Sequence, residues 1–116
     1  HKKPFAFELN KKRIEVKSWV EVLLHTCEIL VEKNSQIFSQ FEHDSKMNGK
    51  KSKYFSVKRD TLRKPVKLGN LDLYIETNMN ANSIRNLILK MLQKYGIRSS
   101  EFIIFLRADY TELHKD

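Results

Sequence analysis

The chain has one cysteine, three glycines and two prolines in 116 residues. A lone thiol, Cys27, excludes an intrachain disulfide and a cysteine-built zinc site, and it points to a reducing, intracellular, cytoplasmic setting. The plain reading of Cys27 is a small buried hydrophobe on a helix. Three glycines leave no phosphate-cradling loop, and no serine stands in a nucleophile elbow. No apolar run approaches the ~20 residues of a membrane span, so no membrane partner is expected. No signal-peptide pattern opens the chain either. His25, His43 and His114 are scattered, without ligand spacing, so neither metal nor cofactor is expected. His25 and Cys27, two apart on a helix, face different sides.

Acid is scarce in one place above all. From Lys50 to Gly69 the bases Lys50, Lys51, Lys53, Lys58, Arg59, Arg63, Lys64 and Lys67 meet a single acid, Asp60. That stretch carries seven of the eight net positive charges, and the remainder is close to neutral. Charge gathered this way is the electrostatic footprint of a polyanion partner.

Hydrophobic content of 41% with seven Phe argues for a folded globule. The length suits one domain over residues 1–116 with a single modest core. The chain opens at His1 without an initiator Met, which suggests a domain cut from a larger protein. His1 itself carries no argument.

Phe5, Phe7 and Leu9 alternate with Ala6 and Glu8, and Arg13 to Lys17 alternates again. The spacing predicts a hairpin with a loop of about three residues at Asn10 to Lys12. Ser18 with Glu21 three residues on forms a capping box for a helix carrying Val20, Leu23, Leu24, Cys27, Leu30 and Val31 inward. Ile37, Phe38 and Phe41 prolong the apolar pattern, so the helix continues to about residue 41 or restarts near Asn34. Trp19 reads as a lid on the core.

Residues 42–49 read as a loop. Within the basic stretch, Tyr54 to Val57 has strand character. Leu71 to Glu76 alternates as a strand. Asn80 or Asn82 can cap a second helix whose stripe is Ile84, Leu87, Ile88, Met91, Leu92 and Tyr95, with Gly96 as its stop. Glu101 to Leu106 has the apolar continuity of an interior strand packed against helices. The tail from Arg107 is expected to fray unless Tyr110 and Leu113 pin it.

The expected fold is α+β: two amphipathic helices on a mostly antiparallel sheet. Its fullest form is two hairpin–helix units and a closing strand, ββαββαβ. Proline, hairpin and helix recur in the two halves as a pattern, with little residue identity.

Two constellations point to chemistry. The first is the basic stretch, whose Lys and Arg side chains suit phosphate contact with counterion release. Tyr54 and Phe55 inside it offer stacking faces, although strand neighbours point opposite ways and one of the two is expected in the core. The second is the polar start of the second helix: Asn78, Asn80, Asn82, Ser83, Arg85 and Asn86. Asn and Arg suit base edges, and a helix start suits phosphate. Asn-rich segments also serve as plain caps and turns. Lys90, Gln93 and Lys94 continue that polar surface.

Glu15-Val16-Lys17 formally matches half of the metal-dependent restriction-nuclease signature, with Glu8 as the available upstream carboxylate. The same triplet is common on amphipathic strands. A binding module, not an enzyme, is the expectation. It is an accessory nucleic-acid-binding domain, DNA before RNA, that captures the phosphate backbone with the basic segment. Its rival is a protein-interaction or oligomerisation module, in which the basic loop docks an acidic protein and Ile37, Phe38 and Phe41 supply an apolar contact. A nuclease built on Glu15 and Lys17 is the third class.

Overall fold

Asn10 and Lys11 make the first turn with φ of 51° and 68°. Two consecutive left-handed residues give the tight type I′ connection, whose twist matches its strands. The loop is therefore two residues, not three. It joins β1 (Pro4–Leu9) to β2 (Lys12–Glu15), with Leu9 opposite Lys12 and Ala6 opposite Glu15. The computed structural model describes residues 2–107, so Tyr110, Leu113 and His114 lie outside the described residues.

The alternation expected of β1 breaks at its start. Pro4 faces Leu106 and Ala6 faces Phe105, leaving Phe5 as the extra residue of a β-bulge. Phe7 and Leu9 enter the core, whereas Phe5 turns outward beside Phe105, and the Arg13 guanidinium lies over both rings.

Ser18 caps α1 (Trp19–Lys33) by accepting the Glu21 amide at 3.2 Å. The helix stops at Asn34, whose side chain then accepts the amides of Gln36 and Ile37 and starts α2 (Ser35–Ser39). One residue ends one helix and begins the next, which settles the choice in favour of a break. Phe38 and Phe41 are buried with Phe55 in an aromatic cluster.

Residues 42–49 are not an open loop. Short 3-10 turns at Gln40–His43 and Ser45–Met47 carry Phe41 and Met47 into the core. Then come β3 (Phe55–Ser56), a further turn at Arg59–Thr61, β4 (Pro65–Lys67) and β5 (Tyr74–Glu76). The strand expected from Leu71 is half as long, because residues 68–73 close a tight turn through Leu68 and Leu73.

Asn80, not Asn82, caps α3 (Ala81–Lys94) by accepting the Ser83 amide at 2.8 Å. Gly96, with φ 68°, ends it: its own amide reaches Gln93 O and that of Ile97 reaches Leu92 O, a Schellman closure. Tyr95 donates its hydroxyl to Leu30 O and Asn34 O and so closes the end of α1 from α3.

The fold is α+β; the described residues form three helices and two three-stranded antiparallel sheets in place of a single sheet. One sheet runs β2-β1-β6, where β6 is Phe102–Leu106; the other runs β3-β5-β4. Each hairpin precedes a helix, but the added strand pairs with the first hairpin strand in one sheet and with the second in the other. Phe7, Leu9, Leu23, Cys27, Phe38, Phe55, Ile75, Ile88 and Met91 belong to one continuous core. The expectation of an interior β6 is overturned. Among the described residues it pairs only with β1, and Ile103 and Leu106 are 44% and 40% exposed. Its apolar run packs Phe102 and Ile104 on the core from a sheet edge that none of the described residues extends. The Arg107 amide still reaches Lys3 O at 2.7 Å, so the chain stays tied down to that point.

Candidate nucleic-acid interface

The basic stretch is held by side chains that point inward from outside it or from its borders. Asn48 is the first holder. Its Nδ2 donates to the carbonyls of Phe41 (2.9 Å) and Asp44 (2.8 Å), and its Oδ1 accepts the amides of Tyr54 and Phe55 at 3.0 and 3.1 Å. Glu42, 9% exposed, accepts the Val57 amide at 2.7 Å. Glu76, 6% exposed, accepts the amides of Arg63, Lys64 and Asn78 at 2.7, 2.8 and 3.0 Å. Burial alone raises the Glu76 carboxyl, but the amides of Asn78, Arg63, Lys64 and Thr77 together outweigh it and hold the group below its usual range.

These bonds put much of the expected surface at one end of the second sheet. Tyr54 O accepts the Glu76 amide on one side of β5, and Lys64 O accepts both the amide and the hydroxyl of Thr77 on the other. Neighbouring strands lie about 4.8 Å apart, so Lys53–Tyr54, Arg63–Lys64 and Thr77–Asn78 gather within roughly 10 Å of backbone. The backbones of the basic stretch and of the lead into α3 therefore meet at this end of the sheet. At the opposite end, Lys67 and the Ser56–Lys58 link flank Tyr74.

Asn82, Asn86, Lys90 and Lys94 fall four apart on α3 and form one row. Lys90, Gln93 and Lys94 then line a groove of about 620 Å³ with Lys46, Lys50 and Tyr54. Lys94 is paired with Asp44 at 2.9 Å, and that ammonium, aided by the Lys46 amide, holds the Asp44 carboxyl below its usual range. Of the aromatic pair, Phe55 is fully buried and Tyr54 keeps a partly open ring in the groove.

Not all the expected residues join. Arg85 sits on the other flank of α3, over the Trp19 ring at 5.8 Å. Asn80 spends its side-chain oxygen on the cap, and Ser83 is half-buried. Lys51, Lys58, Arg59, Lys67, Asn82 and Asn86 are exposed. Phe38 and Phe41 are buried, which removes the apolar contact imagined for them, and Ile37 is half-covered. Glu15 and Lys17 are exposed at the edge of the first sheet, and Glu8 faces Arg13 across the ladder. Among the described residues no three His, Cys, Asp or Glu side chains converge to hold a metal ion, and no helix is long and apolar enough to cross a membrane. Burial pushes the Cys27 thiol up, so it stays protonated.

Sequence reasoning passes over Glu42, Asn48 and Glu76. Strand alternation assigns Glu76 outward, and only the fold-over of residues 62–64 buries it. Lys46 also escapes it, since this residue lies outside the basic stretch and reaches the groove through the turn at Ser45–Met47. Compared with protein-family models, curated proteins and solved structures, the chain matches none of them.

Proposed function

We propose that this chain is a nucleic-acid-binding accessory domain, DNA before RNA, which captures the phosphate backbone with residues 50–67. The observation that carries the reading is uncompensated charge on a held scaffold. Among the described residues only Lys53 of the eight bases reaches a carboxylate, Glu42 at 3.9 Å. The buried acid nearest the others, Glu76, spends its oxygens on the backbone amides of Arg63, Lys64 and Asn78. Lys58, Arg59, Arg63, Lys64 and Lys67 thus present full charges from anchored backbone.

Cations on anchored backbone release condensed counterions from a polyanion and lose little freedom of their own. Asn78 beside Arg63 and Lys64, with Asn82 and Asn86 along α3, supplies hydrogen-bonding groups to the same partner. The domain holds its ligand and leaves any chemistry to other parts of a larger protein, in the cytoplasm.

The test is binding to labelled duplex DNA, single-stranded DNA and RNA across a salt series. Affinity should fall steeply with salt. The combined change of Lys58, Arg59, Arg63 and Lys64 to Ala should flatten the duplex slope by roughly 0.9 for each phosphate no longer neutralised. No binding to any of the three at low salt sinks the reading.

A further inference from the structure

Among the described residues, three of the four sheet edges are guarded against pairing. β2 carries Lys12, Arg13 and Glu15; β4 opens with Pro65 and ends at Lys67; β3 has two residues, and the amide beyond it is taken by Glu42. Charge, proline and shortness are the usual ways an edge is kept from joining another strand. The fourth edge, β6, has none of them. It reads Phe-Ile-Ile-Phe-Leu, with Ile103 and Leu106 substantially exposed.

The hydrogen-bond parity of β6 is fixed by its neighbour. Glu101 O accepts the Asn10 amide and the Arg107 amide reaches Lys3 O, so the odd-numbered residues turn their peptide groups toward β1. Phe102, Ile104 and Leu106 therefore turn their N–H and C=O groups to the open edge, where none of the described residues pairs with them.

We infer that β6 pairs antiparallel with the β6 of a second copy of this chain, about a two-fold axis at Ile104. The sequence is self-complementary in that register. Ile104 faces Ile104 as a hydrogen-bonded pair, Phe102 faces Leu106, Ile103 faces Phe105, and Glu101 faces Arg107 at both ends. A two-fold axis makes the seam isologous, the same strand serving both copies. Centring the axis on Ile103 or Phe105 would still set even residues opposite even ones, but it would part Glu101 from Arg107. On the core side, Leu106 of the copy faces Phe102, which with Trp19, Arg85, Leu89, Ile104 and this chain's own Leu106 lines a depression of about 200 Å³. Leu89, 42% exposed, gains cover there. The product is one six-stranded sheet. A seam this narrow belongs to the weak, concentration-dependent class of interface.

The test is the mass of the whole chain by sedimentation equilibrium, from micromolar to millimolar concentration. A shift from 13.8 kDa toward twice that value is expected. Glu101→Arg or Arg107→Glu alone sets like charges opposite each other at both ends and should weaken the dimer roughly tenfold, given the size of cross-strand charge pairs. Glu101→Arg with Arg107→Glu should restore it. Both side chains are at least partly exposed, so circular dichroism should show all three variants folded. Amide exchange at Phe102, Ile104 and Leu106 should slow as concentration rises. A single-chain mass throughout overturns the proposal. So does a dimer indifferent to the single swaps, or one that the double swap fails to restore.

Discussion

The carboxylate of Glu76 accepts the Arg63 amide at 2.7 Å, so a buried acid holds the backbone of a residue whose own charge points to water. The same carboxylate takes the amides of Lys64 and Asn78. An acid used this way holds the backbone without making a side-chain ion pair with the cations it positions. Glu42 does the like for Val57. A domain rich in base is thereby shaped by its few buried acids.

Replacing that carboxylate tests the arrangement. Glu76→Gln turns one acceptor oxygen into a donor facing peptide donors, and the change should cost about 2–3 kcal/mol, the range for removing charged hydrogen bonds in a buried setting. Urea unfolding measures it. Trypsin should also cut the Arg63–Lys64 bond earlier in the variant, since the amides there lose their anchor. Unchanged stability would mean that the three amides find other acceptors.

The same group fixes an acid limb of stability. With the folded pKa of Glu76 held below its ordinary 4.5, the ionised form favours the native state. Its contribution is complete above about pH 4.5, declines as pH falls past that value, and is gone once pH lies below the depressed folded value. Melting temperatures of the wild type and Glu76→Gln should therefore differ most at neutral pH and draw together in acid. A gap that stays constant down to about pH 2 would sink this assignment.

What sequence reasoning could and could not reach follows from the range of each interaction. Ser18, Asn34, Asn80 and Gly96 cap helices through neighbours at most four residues away, and all four positions carry a local signal. The stripe of α3 is likewise written at helical spacing. The bulge at Phe5 and the place of β6 depend on pairing across nearly the whole chain. An apolar pentapeptide reads the same whether helices cover it or an edge leaves it open. Arg85 and Asn86 are adjacent in sequence but lie about 100° apart around α3, so one joins the Asn82–Lys94 row and the other stacks on Trp19. Charge clustering in residues 50–67 needs only counting. The Glu42, Asn48 and Glu76 contacts that shape it do not show at any fixed spacing.

Asn48 offers a second stability test, independent of charge. It donates to the carbonyls of Phe41 and Asp44 and accepts the amides of Tyr54 and Phe55. Asn48→Ala leaves several peptide groups without partners and should cost about 2–4 kcal/mol in urea unfolding. Asn48→Asp keeps the acceptor but sets an anionic oxygen against two carbonyls, so it should be no better than Ala at neutral pH. An Asp variant as stable as wild type would show that the carbonyl contacts contribute little.

Tyr54 carries the sharpest distinction between kinds of nucleic acid. Its partner Phe55 is buried, and Tyr54 itself lines the groove with Lys50 and Lys90. Duplex bases are already stacked on one another and present only their edges, so an aromatic face contributes chiefly to unpaired bases. Tyr54→Leu keeps apolar contact with the core and removes the stacking face. Affinity for a single-stranded oligonucleotide should fall by about fivefold or more, the ~1–3 kcal/mol of one stacked base, while duplex affinity stays within about twofold. Equal falls for both ligands would leave Tyr54 a packing residue, and the grip on nucleic acid would then rest on phosphate contacts alone.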